Sequence, residues 1–193
     1  MPPPLPATAS GFFITAPGKA VTVDMFLDII CPFSCKMLLT LLGSSVCEKF
    51  ADRVTFVLHQ VPQPWHPQGS YVHEAALAVR STSPDKYVAY VRSLMTAHVE
   101  QKKFTDEATW EKTRPQIYEE LLDMAAACGA DRAAAGALLA NTGQGTGATQ
   151  SMKWGAPPDS NPRTRAACCT ALAADASGWR PQPSSFIVRV ACT

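Results

Sequence analysis

An α/β fold is predicted by three observations. Val21 to Ile30 reads Val-Thr-Val-Asp-Met-Phe-Leu-Asp-Ile-Ile, a β-branched and mostly apolar run that suits a buried strand. Cys35 to Phe50 then carries apolar side chains at Cys35, Leu38, Leu39, Leu42, Val46 and Phe50, which is helical spacing. Val54 to His59, Val-Thr-Phe-Val-Leu-His, is a second strand. The intervening helix is long enough for a right-handed crossover, so the two strands are expected to be parallel neighbours.

The 193 residues are enough for one domain with a substantial core, and a chain with 47% hydrophobic and 17% charged residues should mostly fold. A formal net charge of +1 gives no electrostatic reason to expect nucleic acid or an anionic membrane as partner. The first 20 residues form a leader. Its prolines oppose helix, and Ser10 to Ala16 could at most add an edge strand. The leader has no basic n-region, and Phe12, Phe13 and Ile14 are too few for a signal-peptide core. No stretch approaches the length of a membrane span. Seven cysteines, an odd number without framework-like spacing, fit a reducing and cytoplasmic location. No Cys/His spacing suggests a zinc site, and no metal or other cofactor is expected.

Chemistry concentrates where the first strand turns into the first helix, at Cys31-Pro32-Phe33-Ser34-Cys35. A helix N-terminus offers unpaired N–H groups and a partial positive charge, and both favour thiolate over thiol. Pro32 fits the first helical turn, where no donor is missed. The string Asp28-Ile29-Ile30-Cys31-Pro32-Phe33-Ser34 resembles the DsbA-like branch of the thioredoxin superfamily, which includes the kappa-class glutathione transferases. The resemblance implies a thioredoxin-like fold with an inserted helical subdomain and a catalytic Cys31. Ser34 stands at the position of the resolving thiol in a redox Cys-x-x-Cys, as in monothiol glutaredoxins. Cys35 comes one residue late. It could serve as a second thiol, but it is expected to point inward with Leu38, Leu39 and Leu42 as a small core residue. The competing reading makes Cys31 an ordinary buried thiol.

Gln60 to Gly69 contains three prolines and reads as a rigid, extended loop. It leaves the C-terminal end of a parallel strand, the side on which Cys31 lies and on which α/β sheets bind ligands. With Pro32 and Phe33, residues His59, Trp65 and His66 are candidates for a substrate-binding wall, and a charged histidine there would favour a Cys31 thiolate. The alternative is a surface loop pinned by Trp65 as an apolar plug. Gln63-Pro64-Trp65-His66-Pro67-Gln68 also resembles members of the DsbA-like group.

A thioredoxin-like domain is thus read over 21–154, with a β-α-β half over 21–59, the loop over 60–70 and a helical insert over 71–140. Within the insert, helices are predicted over Tyr71 to Arg80, Lys86 to Gln101, Thr113 to Gly129 and Asp131 to Ala140. Gly129 would close the third. His73 and His98 read as structural or exposed, and the neighbouring Glu119 and Glu120 as solvated. Residues 141–193 form an atypical tail expected to be partly disordered. Asn141 to Gly147 supports no helix, and Gly155 to Arg180 has neither period 2 nor period 3.6. The family-like sequence stops near Trp154, and residues 155–193 read as a splice variant or a shifted frame. Members of the resembled branch continue with a strand after a cis-proline, another strand and a helix. The nearest equivalent here is Pro183 before the run Phe186 to Val190, so the C-terminal strands and helix are expected to be incomplete.

Three functions stay open. The first is a thiol-disulfide oxidoreductase that uses Cys31 on a small thiol or disulfide substrate, with glutathione as co-substrate. The second is a glutathione-binding transferase or isomerase of the kappa-like kind. The third is a non-catalytic or incomplete family member.

Overall fold

The computed structural model describes residues 11–141 and 186–191. The first strand, β1, is the short pair Phe12–Phe13. Then come β2 (Val21–Leu27), α1 (Pro32–Gly43), α2 (Val46–Lys49) and β3 (Val54–Gln60). The later helices are α3 (Gly69–Thr82), α4 (Tyr87–Gln101), α5 (Asp106–Thr109), α6 (Arg114–Ala127) and α7 (Arg132–Leu139). A 3₁₀ turn over Pro84–Lys86 leads into α4. Strand β4 is Phe186–Ala191.

The sheet order is β1-β3-β2-β4. Strands β2 and β3 are parallel, as the crossover argument requires, with Val21 opposite Val54 and Leu27 opposite Gln60. Strand β4 pairs in parallel with β2, from Val21 opposite Phe186 to Phe26 opposite Ala191. The strand-like run near the C-terminus therefore joins the sheet. The expected cis-proline equivalent, Pro183, and the rest of the tail lie outside the described residues. Strand β1 is the anticipated edge, antiparallel to β3. Beyond it, Ile14 N still donates to the Phe56 carbonyl at 2.8 Å, and from Thr15 hydroxyls take over the pairing. Thr15 Oγ1 accepts from Phe56 N at 2.9 Å and donates to the Val54 carbonyl at 2.9 Å. Thr55 Oγ1 accepts from Lys19 N and donates to the Ala16 carbonyl.

Two boundaries differ from the sequence reading. Strand β2 ends at Leu27 rather than Ile30. The Asp28 carboxylate accepts from Ile30 N at 3.1 Å, and Cys31 N donates to the Asp28 carbonyl, so the chain turns three residues early. The helix read as continuous from Cys35 to Phe50 is split at Gly43-Ser44-Ser45. Ser44 Oγ donates back to the Thr40 carbonyl, and Ser45 adopts a left-handed conformation at φ 53°.

The described residues divide into two compact units. The sheet unit comprises 11–72, 91–112 and β4, and the helical unit 73–90 and 113–141. The chain crosses between them within α3 and again within α4. In the sheet unit, Met25, Leu27, Ile29, Ile30, Leu38 and Leu94 are among the fully buried side chains. Phe56, Val57 and Leu58 are buried in succession, as expected for an interior strand covered on both faces. The helical unit is built around Tyr87, Tyr90, Ile117, Leu121 and Ala125. Gly129, at φ +80°, closes α6 as expected, with its N–H on the Ala126 carbonyl. The short α5, capped by the Thr105 hydroxyl on Ala108 N, is an element that periodicity did not reveal.

Candidate thiol site

Cys31 is the N-cap of α1, in extended conformation, with Pro32 at the first helical position. No side chain caps the helix, so Cys31 itself stands at the point of converging N–H groups. It is only 6% exposed, whereas the next aromatic, Phe33, is 70% exposed.

Ser34 and Cys35 are both fully buried. Ser34 Oγ has no hydrogen-bond partner among the described residues. Cys35 Sγ donates to the Ile29 carbonyl at 3.2 Å. Its thiol is pushed up to about 12, first by burial and then by the negative charges that Cys31 and Asp28 can carry. Cys35 is thus a protonated thiol bonded to the backbone of the turn after β2, and no disulfide joins it to Cys31.

The centre of the site is a residue the sequence reading passed over. Asp28 is 2% exposed. One carboxylate oxygen accepts from Ile30 N, one residue before Cys31. The other accepts from Gln63 N at 3.2 Å and from His66 Nδ1 at 2.7 Å. One buried side chain therefore ties the Cys31 turn to the proline-rich loop, whose start is held by Val61 N on the Leu27 carbonyl. Asp-Ile-Ile-Cys carries the signal for this: an aspartate two residues before a free N–H is a turn former.

His66 is where the loop meets the site. Trp65 is not the expected plug: it is 62% exposed, and the loop is pinned by polar bonds on Asp28 instead. His59 goes elsewhere. Its Nε2 meets Asp24 Oδ1 at 2.8 Å, and its ring stacks on Phe26 with centroids 4.5 Å apart. The two histidines grouped by the sequence reading thus belong to separate Asp–His pairs, and only His66 shares a partner with the Cys31 turn.

Beyond α4, Lys102 and Phe104 are non-glycine residues at positive φ. Two buried polar side chains hold them there. His98 Nδ1 donates to the Lys103 carbonyl at 2.9 Å, and Gln68 Nε2 donates to the Phe104 carbonyl at 2.8 Å. His98 is held below the usual imidazole range, chiefly by burial, with the nearby His66 adding to the effect and Asp28 opposing it. His73, like His98, is buried. No group of three or more His, Cys, Asp or Glu side chains among the described residues could hold a metal ion. No helix among them is long and apolar enough to cross a membrane.

No protein-family model and no curated protein matches the chain. Among solved structures, it is similar to a candidate protein-disulfide isomerase from Pseudomonas syringae, at 21% sequence identity and a TM-score of 0.48. The similarity covers 58% of this chain and 64% of that one, so this chain spans less than two thirds of that protein's length.

Proposed function

We propose that the chain is a thiol-disulfide oxidoreductase of the thioredoxin-like, DsbA-like kind, working with a single active cysteine. The observation that carries this reading is the placement of Cys31: N-cap of the helix that links two parallel strands, at the C-terminal end of the first. A thiolate there is stabilised by the helix N-terminus. The Cys31 thiolate attacks one sulfur of a small disulfide. A Cys31 mixed disulfide forms, and the other half leaves as a thiolate that takes up a proton. Ser34 supplies no resolving sulfur, and Cys35 is held as a thiol by burial and by the Ile29 carbonyl. A second external thiol of the glutathione class therefore completes the cycle by attacking the mixed disulfide. Pro32, exposed Phe33 and exposed Trp65 supply the surface on which the substrate rests. A reducing compartment such as the cytoplasm suits the four free thiols of the described residues.

Glutathione-coupled reduction of a low-molecular-weight disulfide tests this. Wild type turns over, and Cys31→Ser abolishes turnover while Cys47→Ser retains it. Equal turnover by Cys31→Ser and wild type would refute the reading.

A further inference from the structure

The turn that delivers Cys31 to its helix is one that its own residues oppose. Ile29 and Ile30 are β-branched, suit a strand and are each only 1% exposed. Left to that preference, β2 would run on through them. Instead, residues 28–31 close a turn. Cys31 N donates to the Asp28 carbonyl at 3.3 Å, and Ile30 N donates to one oxygen of the Asp28 carboxylate at 3.1 Å. The Ile29 carbonyl, beyond the end of the strand, accepts from Cys35 Sγ at 3.2 Å. The proline-rich loop fixes the carboxylate in this pose, because Gln63 N and His66 Nδ1 both donate to its second oxygen, at 3.2 and 2.7 Å. A local preference overridden beside a reactive group marks a place where function sets the conformation. Charge does not account for this carboxylate. A negative group opposes the ionisation of a neighbouring thiol, as Asp28 does at Cys35, whose thiol it helps to push up. What Asp28 contributes to a Cys31 thiolate is therefore geometric.

We infer that Asp28 is the positioning residue of the thiol site. Its carboxylate closes the 28–31 turn. The turn ends β2 at Leu27 and leaves Cys31 at the N-cap of α1, where the helix N–H groups stabilise the thiolate. Gln63 N and His66 act on Cys31 through Asp28, by holding the carboxylate on the turn. A second Asp–His pair in the same unit supplies the contrast. Asp24 Oδ1 meets His59 Nε2 at 2.8 Å, but Asp24 lies within β2 and His59 within β3, so the ladder holds both ends. That pair takes no part in the turn. The titratable groups within electrostatic reach of Asp28 include His66, His98 and Cys35.

This inference rests on Cys31 being the reacting thiol, and the test keeps the two apart. The alkylation rate of Cys31 by iodoacetamide is followed by peptide mapping against pH, in wild type, Asp28→Ala, Asp28→Asn and Asp24→Ala, with a urea midpoint for each. In wild type, Cys31 reacts faster than Cys47. Asp28→Ala moves the Cys31 inflection up and slows Cys31 about tenfold at pH 7, the equivalent of one unit in the thiol equilibrium, while Cys47 keeps its rate. Asp28→Asn keeps a carbonyl oxygen for Ile30 N without the charge, and recovers most of the Cys31 rate. Asp24→Ala leaves Cys31 at the wild-type rate, however much stability it loses. If Asp28→Ala fails to fold, two His66 variants carry the test. His66→Ala slows Cys31, and His66→Asn, which restores a donor at the position of Nδ1, recovers it. The positioning role is overturned if folded Asp28→Ala reacts at the wild-type rate or faster, if Asp28→Asn is as slow as Asp28→Ala, or if Asp24→Ala slows Cys31 equally. A wild-type rate in His66→Ala, or no recovery in His66→Asn, overturns it as well. If wild-type Cys31 reacts no faster than Cys47, the oxidoreductase reading itself fails.

Discussion

Ser34 carries a hydroxyl into a fully buried position where no acceptor among the described residues meets it. An unmet buried hydroxyl costs about 1–3 kcal/mol. Ser34→Ala is therefore expected to leave urea stability unchanged or to raise it by about 1 kcal/mol. A loss of that size would show that the hydroxyl has a partner. Ser34→Cys is expected to be tolerated, since a thiol suits apolar surroundings better. The introduced sulfur lies three residues after Cys31, the spacing of a redox dithiol at a helix start. Mild oxidation of this variant should give a reversible bridge to Cys31. A wild-type bridge between Cys31 and Cys35 forming as readily would contradict that geometry. In the helical unit, the Tyr118 hydroxyl accepts from Arg114 Nε at 2.9 Å and Nη2 at 2.7 Å, and donates to buried Glu74. Tyr118→Phe removes that donor from a buried carboxylate and should cost about 1–3 kcal/mol in urea unfolding. An unchanged midpoint would count against the Tyr118–Glu74 bond.

At the scale of elements, what was legible came from periodicity and capping chemistry. The alternation of a strand, a helix and a strand, and the reach of the helix between them, carried the parallel pairing of β2 and β3. The proline of Thr113-Arg114-Pro115 and the position of Gly129 marked both ends of α6. The losses came where a polar side chain overrode an apolar pattern. Ile29 and Ile30 read as strand, but Asp28 captures Ile30 N and turns the chain. Leu42, Val46 and Phe50 keep helical spacing across Gly43-Ser44-Ser45, yet Ser45 leaves the helix. The position of Cys31 at the start of α1 was legible because its signal is local. The partnership of Asp28 with Gln63 and His66 spans more than 30 residues and has no periodicity to betray it. His59 and His66 looked equivalent by proximity in sequence, and only the fold assigns them to different aspartates.

For the molecule as a whole, buried histidine links folding to pH. His98 titrates lower in the folded chain than its ordinary 6.5, chiefly because it is buried. The unfolded chain therefore binds a proton near pH 6.5 that the folded chain declines. Stability should be full above that value and fall as pH drops through it towards the lowered folded value. His98→Asn keeps a side-chain donor for the Lys103 carbonyl and removes the titration. Its urea midpoint should fall less between pH 7.5 and 5.5 than that of wild type, as checked by denaturation at each pH. An identical slope would mean that His98 is not the linked group. The account as a whole depends on one sulfur differing from the others because of where the fold puts it. Cys31 stands at a helix N-cap, while Cys35 and Cys47 are both pushed above the ordinary thiol value by burial. The most direct measurement is to challenge the reduced, folded protein with limiting glutathione disulfide near pH 7 and to map the adducts by mass spectrometry. The account predicts a single glutathione, on Cys31. A first adduct on Cys47 or Cys128, or a bridge from Cys31 to Cys35 with no adduct, would contradict it.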